Sequence, residues 1–298
     1  MDAKREVPSA EFRVPSEKII LLHLLTIALL MLSVGCREAE SGGIVRVGLV
    51  GPFEGRYREV GYDAYYAAKM ALQDQGNLGI ELVAVDDGGT IDSAADRALA
   101  LAGDPLVKAV VALGYMATDA KTQLAFGDVP VIVVGDWGAK PETPSVFMLT
   151  GPNISDIISL PNSARDVTLA AKLEAPLMGN ELLALQQYSR LRPNTTDVTI
   201  VSSGSLPDAE FSTRYLESAA FAPQPGLLAT LTYDATQMTL EAIAESTGNT
   251  ISETLSHMQY AGINGLIRFQ DGYWTDAPVN FFGYDAEGVL IPVDRPVE

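Results

Sequence analysis

The sequence predicts an α/β protein of two lobes, each a parallel sheet flanked by helices. Three observations carry this. From residue 44 onward, short apolar runs, several closed by glycine, alternate with segments whose apolar residues recur every three or four positions. The runs are apolar almost throughout, as strands buried on both faces must be. Their order through the first half is β-α-β-α-β-α-β, which suits a parallel sheet covered by helices on both sides.

The elements follow in order. "IVRVGLVG" (44–51) reads as a buried strand, and "EVGYDAYYAAKMALQDQG" places Tyr62, Tyr65, Tyr66, Lys69, Met70 and Gln73 at helical spacing before Gly76 stops the helix. "GIELVAVDD" is a strand, and "TIDSAADRALALAGDP" a helix with Thr90 or Asp92 as its N-cap. "VKAVVALG" is a strand, "MATDAKTQLAFGD" a helix and "VPVIVVG" a strand. In "VFMLTGPNISDIISLPNSARDV" the alternation fails: two strand-like runs, 146–150 and 156–160, are separated only by Gly-Pro-Asn-Ile-Ser. Beyond it, the readings are helix (162–175), strand ("PLMG"), helix (180–191), strand ("DVTIVSS"), then helices starting after Pro207, over 226–246 and over 250–262. "GLIRFQ" is a strand, and the tail reads as short strands and turns. The expected lobes are 44–150 and 151–298, with hinge and tail segments of the second returning towards the first.

The first 35 of the 298 residues read as an address. Lys4, Arg5, Arg13 and Lys18 precede the apolar run 19–34, and small residues follow, the pattern of a secretory signal peptide. A membrane-anchor helix is the other reading, although the run falls short of the roughly 20 residues that span a bilayer. Cys36 is the only cysteine, so no intrachain disulfide can form, and its place after Gly35 resembles a bacterial lipobox. Residues 36–43 would then be a lipidated tether holding the protein on a membrane surface.

Composition excludes several classes. Residues 1–35 hold four basic and four acidic residues, so the remainder keeps 16 Lys and Arg against 34 Asp and Glu, a net charge of −18. Nucleic acid is not an expected partner of such a chain. A single histidine beyond residue 35, His257, with one cysteine rules out a His/Cys zinc cluster and a Cys–His nucleophile. "VSSGSL" (201–206) lacks the G-x-S-x-G order of a hydrolase elbow. "GLVGPFEG" (48–55) fits no phosphate-binding pattern. No catalysis and no cofactor are expected. Asp86 and Asp87 read as a strand-end and capping pair rather than an acid–base couple.

What the strand ends do offer is a small-molecule pocket, since open α/β sheets bind ligands beyond the carboxyl ends of their strands. The first strand leads to Phe53, Glu54 and Tyr57, the third to Tyr115 and Thr118, and the fourth to Asp136, Trp137 and Gly138.

The order of these pieces is similar to a known family. "VRVGLVGPFEGRYREVGYDAYYAAKMALQD", "VDDGG", "VKAVVALGYMA", "VPVIVVGDWGAKPET" and "VFMLTGP" resemble the extracellular ligand-binding receptors of branched-chain amino-acid ABC transporters, periplasmic binding proteins of type I. "APLMG", "DVTIVSSGSLPDAEFSTRYLES", "LTYDATQMTLEAIAES" and "INGLIRFQDG" follow in the family's order. The resemblance implies two lobes closing on an amino acid or similar solute, and an ABC permease as partner. It implies first-lobe contacts from 115–118 and 136–138, with Thr118 and Asp136 in place of the family's Ser-Ser and Ser-Ala-Thr pairs. Tyr115 and Trp137 would favour an apolar or aromatic ligand body. In the family, a helix, a strand and another helix separate the two runs that meet directly at 146–160 here. A reduced second lobe follows, missing on the order of 60–80 residues, two crossovers' worth. Asn162, Ser163 and Asp166 would then face the cleft from that side.

Overall fold

The computed structural model describes residues 43–76, 79–158, 170–173, 176–192 and 194–296. The apolar runs of the first half form β1 (Val45–Gly51), β2 (Ile80–Asp86), β3 (Val107–Ala112), β4 (Val131–Val134) and β5 (Val146–Leu149). They pair in parallel in the order β2-β1-β3-β4-β5. Every residue of β4 and β5 is buried, which is why these runs carry no polar alternation.

The connections are α1 (Arg58–Asp74), α2 (Ile91–Ala102) and α3 (Ala120–Ala125). Of the two N-cap candidates for α2, Thr90 holds the place, its hydroxyl accepting from the Ser93 amide at 3.1 Å. Gly61, inside α1, would cost about 1 kcal/mol against alanine by propensity alone. Close approach requires it, because a Cβ there would collide with the carbonyl oxygen of Pro52.

Next come α4 (Ile154–Ile157), β6 (Leu177–Gly179), a 3-10 turn (Glu181–Ala184), α5 (Gln186–Leu191) and β7 (Val198–Ser202). Helices α6 (Ala209–Glu217), α7 (Leu227–Glu245) and α8 (Ile251–His257) follow. The chain closes with β8 (Tyr260–Gly262), β9 (Gly265–Ile267), β10 (Phe269–Gln270), β11 (Tyr273–Trp274), β12 (Asn280–Tyr284) and β13 (Leu290–Pro292). A second sheet runs β6-β7-β12-β13, parallel between β6 and β7 and antiparallel thereafter. Strand β11 returns to the first sheet, Tyr273 lying opposite Met148 of β5, and β10 adds an antiparallel edge.

The 19-residue α7 is buried on nearly every side, because it packs on α1 and on β3 and β4. Two of its buried threonines spend their hydroxyls within the helix, Thr236 on the Thr232 carbonyl and Thr239 on that of Ala235, each at 2.8 Å, while Thr230 also reaches the Ser205 carbonyl outside it at 2.8 Å. Ile44–Glu298 form one compact unit.

The structure corrects one strand and shortens several helices. The run 156–160 is no strand where it is described: 154–157 form a single helical turn, α4. Ile154, Ile157 and Ile158 are spaced three and four apart, a helical period, and buried Ile154 pins the turn. Helix α3 covers less than the predicted 116–128, because the Asp119 carboxylate accepts from the Lys121 amide and caps it late, while Gly127 with φ +59° lies just past its end. The helix expected over 180–191 breaks at Leu185, whose ψ of 140° is extended. The helix over 250–262 stops at His257, and the chain turns into β8. The helix expected over 162–175 lies largely outside the described residues.

Candidate functional site

The loops beyond β3 and β4 meet, and the chain itself covers them. Asp136 follows Gly135, whose φ of +83° turns the backbone sharply after β4. Its carboxylate accepts from the Gly138 amide at 2.9 Å and from the Ser155 hydroxyl at 2.9 and 3.0 Å. Its backbone amide donates to Glu181 Oε2 at 3.1 Å, and its carbonyl accepts from Asn180 Nδ2 at 2.5 Å. Asn180 also donates to the Tyr115 hydroxyl at 3.2 Å, and Tyr115 meets Trp137 edge-on at 5.2 Å. Glu181 Oε1 accepts from the Ser202 hydroxyl at 2.6 Å. Asp136 is 3 % exposed and Glu181 1 %. A polar seam therefore fills the place beyond the strand ends, built from segments about 45 residues apart in sequence. Burial pushes the Glu181 carboxyl up to about 7, against the Ser202 hydrogen bond that favours its charge.

The other expected site residues hold the fold around this seam. Thr118 is buried and donates to the Gly114 carbonyl at 2.8 Å, and Trp137 Nε1 donates to the Val134 carbonyl at 2.7 Å. The amides of Phe53 and Glu54 donate to Asp86 Oδ2 at 2.7 and 2.9 Å. Asp87 accepts from Gly89, so the aspartate pair shapes the strand-end loops as expected, while the cap of the following helix is Thr90 and neither aspartate. The Phe53 ring packs edge-on against Tyr62 and Tyr65, and Tyr57 stands at the N-cap of α1. Asn162, Ser163, Asp166 and Cys36 lie outside the described residues. His257 is exposed at the end of α8, its Nδ1 near the Glu253 carbonyl.

Beside the seam opens a cavity of about 870 Å³. Helix α1 forms one wall with Glu59, Tyr62, Asp63 and Tyr66, while Glu181 and Phe221 line it from the second half of the chain. Glu59 and Asp63, one helical turn apart, reach across to helix N-termini. Glu59 accepts from the Gln186 and Gln187 amides at the start of α5. Asp63 accepts from Gly226 at 2.9 Å and Ala229 at 3.1 Å at the start of α7, an arrangement that satisfies orphan amides and complements the helix dipole. Asp63 is 4 % exposed, and burial pushes its carboxyl up to about 7, with Glu59 adding in the same direction.

Sequence reasoning missed these carboxylates. One signal was present: Asp63 falls among Val60, Gly61, Ala64 and Ala67 on the buried face of α1, where a carboxylate needs a partner. Nothing near Glu181 in sequence announces its role.

Solved structures share this architecture. An extracellular ligand-binding receptor of Desulfohalobium retbaense aligns with a TM-score of 0.62 at 15 % identity over 84 % of this chain, which spans 59 % of that receptor's length. The branched-chain amino-acid transporter substrate-binding protein of Streptococcus pneumoniae, solved with isoleucine, aligns with a TM-score of 0.64 at 14 % identity, over 84 % of this chain and 99 % of its own. The fold is that of the type I periplasmic binding proteins. A solute-binding protein of R. palustris with the same fold, solved with benzoate, aligns at 0.62 and 15 % identity over 84 % and 96 % of the two chains. No family model and no curated protein matches this sequence. Among the described residues, this type I periplasmic binding fold contains no helix long and apolar enough to cross a membrane.

Proposed function

We propose that the protein is an extracytoplasmic solute receptor, anchored by a lipid on Cys36, which presents an amino acid or similar small molecule to an ABC permease. Its lobes would be 44–150 and a reduced 151–298. The observation that carries this reading is the cavity of about 870 Å³ between α1 and the second half of the chain. It has the size of a small-molecule site and joins apolar walls to a few polar groups. The fold, shared with receptors solved with isoleucine and benzoate, supports it.

A thermal-shift screen of amino acids, amides and aromatic acids tests the reading. A ligand at 100 times its dissociation constant should stabilise the folded protein by about 2.7 kcal/mol. No stabilisation by any solute would sink it. The anchor has its own test. Cells fed a labelled fatty acid should incorporate label into the wild-type protein and not into Cys36→Ser, and equal labelling of both would remove the lipid.

A second reading is an envelope interaction module without a small ligand. The observation in its favour is the seam of Asn180, Glu181 and Asp136, which fills the strand-end position where open α/β sheets bind ligands. It expects an empty solute screen.

A further inference from the structure

The cavity beside the seam has a charge character that narrows what it can hold. Two of its carboxylates, Asp63 and Glu181, are buried, and both are held by backbone amides or a hydroxyl rather than by a cation. The charged groups acting on them are Glu59 and Asp136, both negative. A carboxylate offers about four acceptor positions. The hydrogen bonds above fill two on each, and the Tyr215 hydroxyl at Asp63 and the Glu181 amide at its own carboxylate add one apiece, so each keeps capacity for one further donor. Among the described residues that bound the cavity, Arg58 alone is basic, and it is exposed at the start of α1.

The apolar part of the wall combines aliphatic and proline side chains, among them Leu206, Leu228 and Pro225, with four aromatic rings. Tyr62 and Tyr66 lie stacked with ring centres 6.4 Å apart, and Tyr284 lines the same space. Phe221, also on the cavity, is 88 % exposed, an apolar ring left in water unless something covers it. Aromatic faces attract cations, and buried carboxylates without a cation are stabilised by acquiring one. A carboxylate ligand would instead place a further negative charge beside Glu59, Asp63 and Glu181.

We propose that this cavity selects an amine: a ligand with an apolar or aromatic body among Tyr62, Tyr66 and Phe221 and an ammonium group directed at Glu181, with Asp63 adding negative charge to the same wall as Glu59. The inference rests on the solute-receptor reading and gives that receptor its ligand class. In this arrangement Glu181 is the specificity-determining residue, because it touches both the cavity and the loop beyond β4.

Calorimetric titration and thermal shift on the full chain, with benzylamine, benzoate and phenylalanine as matched probes, decide the matter. Benzylamine should bind saturably and raise the melting temperature, and benzoate should do neither. Glu181→Gln should weaken benzylamine by about tenfold or more, the loss expected when a charge-assisted hydrogen bond becomes a neutral one. Phe221→Ala, at a position too exposed to matter for folding, should weaken it severalfold and keeps the test open if the first variant fails to fold. Benzoate binding as tightly as benzylamine, or unchanged benzylamine affinity in both variants, overturns the proposal. If benzoate or phenylalanine binds and benzylamine does not, the receptor reading stands and the amine falls. If none of the three binds and the wider screen is empty as well, both fall together.

Discussion

The protein should lose stability as the pH rises from about 4 to about 8, the reverse of ordinary acid denaturation. Asp63 and Glu181 have ordinary values of 3.8 and 4.5, and burial raises both to about 7 in the folded chain. Between those limits the folded state keeps two protons that the unfolded chain has released, so unfolding free energy falls with each step in pH until both groups are ionised. Asp63 contributes on the order of 4 kcal/mol and Glu181 on the order of 3 kcal/mol across the window, since one pKa unit is about 1.4 kcal/mol. Asp87 and Asp234, also raised by burial, act in the same direction. Asp104 and Glu253 are lowered chiefly by the Leu106 and Thr250 amides and Asp92 by Lys121, and they act towards the acid end, where their unfolded-state carboxyls titrate. Urea unfolding at half-unit intervals should show the decline, and Asp63→Asn with Glu181→Gln should flatten most of it. Stability that is level or rising from about pH 5 to about pH 8 would contradict the uncompensated burial on which this rests.

Arg192→Ala should cost on the order of 3 kcal/mol, the low end of the range for removing one partner of a buried ion pair, because the Asp197 side chain is 26 % exposed. Arg192 is 6 % exposed. Its guanidinium donates to Asp197 Oδ2 at 2.7 Å and to the carbonyls of Leu173 and Asn194, each at 2.6 Å. One planar fork therefore ties the residues before β6 to the turn before β7, and Asp197 in turn accepts the Leu177 amide on its carbonyl at the start of β6. Without the fork a carboxylate and two carbonyls lose their donor together. Lysine should recover only part of the loss, because a single ammonium cannot span three acceptors in fixed directions. Equilibrium urea unfolding of the wild type, Arg192→Ala and Arg192→Lys gives the comparison, and an alanine variant within about 1 kcal/mol of wild type would mean the fork contributes little.

The buried parallel strands were legible because burial on both faces leaves a mark along "VPVIVVG" and, apart from the exposed Lys108, along "VKAVVALG". Caps were legible too: Thr90 opens α2, and Gly76, with φ +74°, closes α1. Periodicity failed where runs were short. Five residues at 156–160 are too few to separate a period of 2 from one of 3.6, and a buried Ile154 decided for a helical turn. Of the expected site residues, Tyr115, Asp136 and Trp137 do converge, yet what they converge on is Asn180 and Glu181 of the same chain.

The sequence by itself determined the alternation of strands and helices that builds a parallel first sheet, the acidity of the chain and the absence of His/Cys zinc chemistry, since these depend on local pattern and residue counts. Only the tertiary structure decided which carboxylates are buried and what holds them. Asp63 meets Gly226, and Glu181 meets Asp136, across more than 40 residues of sequence in each case. No propensity or spacing encodes such pairings. They arise when α7 packs on α1 and the 3-10 turn after β6 closes over the loop after β4, so that burial, not residue type, sets their charge and the chemistry of the cavity they line.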